Sequence, residues 1–182
     1  MIGMLSRRDE FPIIEEPTRA EYYRNRRWHL LRALLFRWSP SFMHGWRRSV
    51  LRLAGATIAP DVRIDRTAHV DFPWNLELRD GVRVDRHAIF FTLGRVTVGE
   101  NTRISQHAHL CAASRDLGKV RMPITRAPIT IGRDCWIGAD VFVGPGAEID
   151  AGCVVGARSA VFGHMPAASV CTGEPARPQH AR

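Results

Sequence analysis

The side chains best suited to proton or metal chemistry in this 182-residue chain are eight histidines and four cysteines. Imidazole titrates near neutral pH, so a histidine beside a substrate hydroxyl can act as a general base; it is also the commonest zinc ligand. His107 and His109 stand two residues apart in Ile104-Ser105-Gln106-His107-Ala108-His109, and on an extended strand they would share a face. His69 and His87 stand 18 positions apart. The cysteines Cys111, Cys135, Cys153 and Cys171 form no C-x-x-C pair, which argues against a structural zinc site and for small buried fillers. Cys135, Cys153 and Cys171 are again spaced by 18. No metal is expected.

Elements that could position these groups come in two kinds. From about Arg19 to Trp38 the apolar residues Tyr23, Trp28, Leu31, Leu34, Leu35 and Trp38 recur at helical spacing. Ser39-Pro40 ends that helix, because proline disfavours helical geometry in the residue before it. A shorter helix runs from about Met43 to Leu53, with Gly55 as its C-cap. After Gly55 the period changes to six. Ile131, Ile137, Val143, Ile149, Val155 and Val161 fall in strict register, and Cys135, Val141, Ala147, Cys153 and Ser159 follow four residues after the first five.

A period of six fits neither an α-helix nor a two-faced strand. It fits a parallel β-helix of hexapeptide repeats, in which three hexads make one triangular coil of 18 residues. The aliphatics would point into the prism, and Cys135 and Cys153 would stack in adjacent coils. Earlier stretches carry the pattern in shifted registers, with breaks near Pro73-Trp74, near Phe91-Thr92, and between Ser114 and Pro128. The fold class read from this is all-β: a left-handed parallel β-helix with an N-terminal helical segment and a C-terminal cap. Its expected parts are an extension over 1–55, the β-helix over 56–165 with an excursion at 115–128, and a cap and tail over 166–182.

Bulk properties exclude several classes. The net charge of +8 is concentrated at the N-terminus, where residues 1–55 hold 11 Arg against 5 carboxylates. No stacking-aromatic module, zinc finger or basic-region heptad accompanies that charge, so nucleic acid is not expected as a partner. No stretch reaches the roughly 18 apolar residues of a membrane span. Asp9 and Glu10 follow Arg7 and Arg8 where a secretory apolar core belongs, so the chain is read as cytoplasmic. The basic, Trp-bearing first helix would suit peripheral contact with an anionic membrane at its inner face. Packing on the main domain is its simpler role.

With these motifs in order, the chain resembles the hexapeptide-repeat acyltransferase superfamily, and within it the colanic-acid-type polysaccharide O-acetyltransferases. The likeness rests on Leu51-Arg52-Leu53-Ala54-Gly55-Ala56, Pro73-Trp74-Asn75-Leu76, Ile104-Ser105-Gln106, Pro128-Ile129-Thr130-Ile131-Gly132 and Cys135-Trp136-Ile137-Gly138. It continues through Val143-Gly144-Pro145-Gly146, Gly156-Ala157-Arg158-Ser159 and Gly173-Glu174-Pro175-Ala176-Arg177. The resemblance implies a homotrimer with acetyl-CoA as co-substrate in the groove between neighbouring prisms, and a sugar or lipid-linked saccharide as acceptor. Trp136, Ala139, Ala157, Arg158, Ser159, Gly173 and Arg177 are the cofactor-binding positions it implies. Ala139, Ala157 and Pro175, spaced by 18, would line one edge of successive coils, where small side chains let a pantetheine arm reach the backbone. Arg158 and Arg177 would pair with its phosphates. Four basic residues of the excursion, Arg115, Lys119, Arg121 and Arg126, would suit an anionic acceptor.

One departure bears on mechanism. In the family a His-Asp pair follows the small-residue stretch, with the histidine as base. Here Leu110-Cys111-Ala112-Ala113-Ser114 is followed by Arg115-Asp116, and arginine stays protonated. Either His107 or His109 has taken over as base, or the chain is a catalytically impaired relative that binds or assembles. A third alternative, likeness to β-helix carbonic anhydrases with zinc on His69, His87, His107 or His109, lacks their H-x4-H pair.

Overall fold

The computed structural model describes residues 17–182 except position 119, so readings on residues 1–16 or Lys119 lie outside the described residues. A parallel β-helix begins at Thr57 and has three faces. The first stacks Thr57–Ile58, Leu76–Leu78, Val96–Val98, Ile129–Ile131, Glu148–Ile149 and His164–Met165. The second stacks Arg63–Ile64, Arg83–Val84, Arg103–Ile104, Trp136–Ile137, Val154–Val155 and Ser169–Gly173, closed by the antiparallel strand Ala176–Ala181. The third stacks His69–Asp71, Ile89–Phe91, His109–Cys111, Phe142–Val143 and Ala160–Val161.

All six aliphatics of the hexad register are buried, as are Cys135, Val141, Ala147, Cys153 and Ser159. The prism interior is the core, and the strands of each face supply inward apolar side chains to it, two apiece at Leu76–Leu78, Val96–Val98 and Ile129–Ile131. All four cysteines are free thiols; Cys135, Cys153 and Cys171 are buried packing groups, and burial pushes Cys153 up to about 12.

Coil length is not uniform, which corrects part of the sequence reading. Ile131 pairs with Ile149 and Val143 with Val161, the expected 18 residues apart. In the first coils the step is 20: Arg63 pairs with Arg83, His69 with Ile89, and Ile89 with His109. The additional length follows Asp71, where the chain turns through left-handed Phe72 into a short 3-10 turn at Pro73–Asn75. In the last coil the step falls to 16, since Val155 pairs with Cys171. The parallel ladder therefore runs on through Ser169–Gly173 before the final hairpin.

The N-terminal segment closes the open end of the prism. Helix α1 (Arg19–Leu31) starts with a capping box between Thr18 and Glu21 and continues into a five-residue π-turn at Arg32–Phe36, short of the expected end at Trp38. Helix α2 (His44–Leu53) lays Val50 and Leu51 on the first coil, and Gly55 takes φ 101° beyond it. Arg47 is fully buried at this end, where it donates to the carbonyls of Ile64, Pro40 and Ser41 and to Ser39 Oγ at 2.6–2.9 Å. Hydrogen bonds tie α1 to the third face and the turn after it: Trp28 Nε1 donates to Val70 O at 2.7 Å, and Phe72 N donates to Asn25 Oδ1 at 3.0 Å.

Candidate functional site

Outward side chains of the third face, together with Arg32 of the π-turn and Arg37 at its cap, border an open hollow of about 710 Å³. Its wall carries His69 and Asp71, His109 and Cys111 from the strands, and His87 and His107 from the corner between the second and third faces. At that corner His87 and His107 take φ 57° and 60°, the left-handed geometry that reverses a coil. The 20-residue step sets one above the other, with ring centroids 5.0 Å apart and planes 13° from parallel.

A second, smaller hollow of about 390 Å³ lies around the same corner, lined by Gln106, His107, Ala139, Asp140, Ala157 and Arg158. His107 borders both hollows. Ala139 and Ala157 are thus neighbours at one edge, as their spacing predicts. The backbone beneath them is tightly stacked: a Cβ on Gly138 would stand 2.6 Å from Val155 O and 2.7 Å from Ala157 N. Arg158 is exposed at the mouth of this groove, 3.8 Å from Asp140.

The remaining cofactor positions are distributed differently. Pro175 does not continue the Ala139–Ala157 edge, because the last coil is two residues short. Ser159 is buried and its Oγ accepts from Gly173 N at 3.2 Å, so that hydroxyl is committed within the fold. Trp136 lies half exposed on the second face and donates to Ser105 Oγ at 2.9 Å. Arg177 is exposed on the final strand.

His107 and His109 do not share a strand face, a correction to the sequence reading. His107 occupies the corner and is exposed, whereas His109 begins the following strand and is half-buried, edge-on to Phe142 at 5.5 Å. Burial pushes the His109 imidazole below its ordinary pKa, with the nearby Asp71 carboxylate opposing and His69 adding to the shift. His109 is thereby held neutral, the form that accepts a proton. His69 and His87 are likewise not stacked, since His69 pairs with Ile89.

Arg115 sits in a two-stranded hairpin, Ser114–Arg115 against Ile124–Thr125, and donates to Met122 O at 3.2 Å. Asp116 N donates to Pro123 O, and its carboxylate accepts from Gly118 N at 3.0 Å. Arg126 does not face an acceptor: its guanidinium grips the Glu21 carboxylate at 2.8 and 2.9 Å, tying the excursion to α1.

Sequence reasoning passed over Asp71. Its Oδ1 lies 3.1 Å from His29 Nε2 and 3.2 Å from His69 Nε2. Burial pushes this carboxyl up, but the His69 hydrogen bond and the charges of His69, His29 and Arg32 outweigh it and hold the group below its usual range. The ligand atoms of His29, His69 and Asp71 lie within 4.8 Å of one another, a spacing a small cation could use. Arg32 lines the same hollow and opposes a second positive charge there. His69 and Asp71 share one face of the same strand, and the docking of α1, which the hexad pattern does not show, brings His29 to them.

The comparisons agree with this architecture. Residues 128–163 match the family model described as bacterial transferase hexapeptide (six repeats). The candidate colanic acid biosynthesis acetyltransferase WcaF of Escherichia coli strain K12 is 43% identical over 149 residues, covering 82% of each chain. Among solved structures, a galactoside acetyltransferase in complex with coenzyme A superposes with a TM-score of 0.83 at 21% identity, covering 100% of this chain and 92% of that one. A maltose O-acetyltransferase from Clostridium difficile 630 gives 0.82 at 20% identity, covering 90% and 88%. This chain therefore belongs to the hexapeptide-repeat acetyltransferases, in the colanic-acid-type branch that its likeness to WcaF defines.

Proposed function

We propose that this protein transfers an acetyl group from acetyl-CoA to a hydroxyl of a saccharide or lipid-linked saccharide in cell-surface polysaccharide synthesis. The observation that carries the reading is the meeting, at His107, of a small-residue groove with a histidine-lined hollow. The likeness to a colanic acid biosynthesis acetyltransferase supplies the substrate class.

Acetyl-CoA, when bound, supplies an acyl group activated as a thioester. Ala139 and Ala157 leave the groove floor open, so an extended pantetheine arm can reach backbone amides. Arg158 stands where a cofactor phosphate could take a charge-assisted hydrogen bond. His107 removes the proton of the acceptor hydroxyl, whose oxygen then attacks the acyl carbon. It returns that proton to the departing sulfur. Neutral His109, on the hollow side, holds the acceptor. In a homotrimer the groove would be completed by a neighbouring prism.

Described residues include no helix long and apolar enough to cross a membrane. Peripheral contact is a further part of the proposal. Leu34, Trp38, Phe42 and Leu53 of the N-terminal segment are 70–81% exposed, among arginines that an anionic lipid surface would attract.

Arg115 at the family's histidine position favours a second reading, a catalytically impaired subunit that binds or assembles. Measuring CoA release from acetyl-CoA with a panel of sugars, for wild type and Arg115→His, separates the two. Robust wild-type turnover supports a base elsewhere. No wild-type turnover, with a large gain in the variant, overturns the enzymatic reading.

A further inference from the structure

The arginines around the larger hollow are a feature the transfer chemistry does not use. Arg32 and Arg37, from the π-turn and its cap, and Arg66, from the first second-to-third-face corner, all line it. Among the described residues none of the three has a carboxylate within ion-pair distance. Arg32 is half-buried, and its Nε is buried without a hydrogen-bond partner. Burial pushes its guanidinium below its ordinary pKa; the Asp71 carboxylate opposes that shift and the neighbouring Arg37 adds to it.

The nearby carboxylates are already engaged. Asp71 lies between His29 and His69, and Asp65 accepts from Thr67 N and Oγ1 at 2.8 and 2.6 Å. A cavity wall with three arginines that have no ion-paired carboxylate among the described residues, four imidazoles and one carboxylate already shared between His29 and His69 has the charge pattern of an anion receptor. It also argues against reading the His29–His69–Asp71 cluster as a cation site.

We propose that this hollow takes a saccharide bearing a negative charge, a carboxylate or a phosphate, with Arg32, Arg37 and Arg66 as its receptors. This inference rests on the transferase reading and names the substrate class of that same site. It moves charge recognition away from the excursion, where Arg126 is committed to Glu21 and Arg115 to a backbone carbonyl. Guanidinium groups bind both carboxylate and phosphate bidentately, so the shared chemistry is a planar or tetrahedral oxyanion held by paired N–H donors.

The test uses the full-length protein with methyl glucoside, methyl glucuronide and glucose 1-phosphate as matched probes, each followed by CoA release from acetyl-CoA. The wild type should use at least one charged probe with a kcat/KM roughly tenfold or more above the neutral one, the scale of a lost charge-assisted hydrogen bond. The Arg37→Gln/Arg66→Gln variant should lose that preference through a raised KM for the charged probe, with its KM for acetyl-CoA unchanged. Glucuronide and phosphate arms distinguish the two sources of charge. Equal use of charged and neutral probes overturns the inference and leaves the transferase reading standing. If no probe supports CoA release, direct calorimetric titration of the same sugars decides. Charged-sugar binding by the wild type that the double variant loses supports the inference, and its absence overturns it.

Discussion

His87 and His107 stack face to face across successive coils, 5.0 Å between centroids, and the second of them is the residue that both hollows share. Replacing a general base removes about two to four orders of magnitude in rate. His107→Ala should therefore lower kcat about 100-fold or more, with little change in KM for acetyl-CoA. His109→Ala should instead act mainly on the acceptor's KM. Steady-state kinetics on the two variants check the assignment, and an unchanged kcat in His107→Ala would sink it.

Access to the groove depends on the size of two side chains. Ala157→Phe should raise KM for acetyl-CoA about tenfold or more by filling the space beside Ala139, an effect on the scale of 1.4 kcal/mol. Circular dichroism and melting temperature should stay at wild-type values, because Ala157 is exposed and its side chain points away from the core.

The Glu21–Arg126 tether should be visible in the pH dependence of stability. The Glu21 carboxyl is lowered from 4.5 to about 2, chiefly by the hydrogen bond from Arg126, with burial opposing and Thr18 assisting. A depressed carboxyl stabilises the fold fully above its unfolded pKa near 4.5, and that contribution fades as pH falls towards 2. Glu21→Gln should cost about 1–3 kcal/mol at neutral pH and progressively less below pH 4.5. Denaturant melts of the two proteins across that range provide the comparison.

Arg47 closes the end of the prism by satisfying four backbone and hydroxyl oxygens. Arg47→Ala strips those acceptors of their donor and opens a cavity, at a cost of about 3 kcal/mol or more. Thermal unfolding should show it. Arg47→Lys should recover only part of the loss, since one ammonium cannot reproduce the planar fork.

If the N-terminal segment rests on lipid, Trp38→Ser/Phe42→Ser should reduce co-sedimentation with vesicles containing anionic lipid, while secondary structure is retained. Neutral vesicles should bind the wild type less well, and added salt should weaken binding. Light scattering of both proteins shows whether the same residues instead join copies of the chain.

The hexad of Ile131, Ile137, Val143, Ile149, Val155 and Val161 determined the fold by itself, because only a three-sided coil places every sixth side chain in one interior column. The same periodicity placed Ala139 beside Ala157, since their coils keep the 18-residue step. The sequence also showed that Arg115 stands where a histidine was expected. It did not show the site. His87 meets His107 because the early coils are 20 residues long, and His29 meets Asp71 because α1 docks on the third face. Those contacts depend on how many residues each corner absorbs and on where a helix lands. Inward periodicity reports the column of buried side chains and carries no record of outward neighbours, so only the folded chain could decide them.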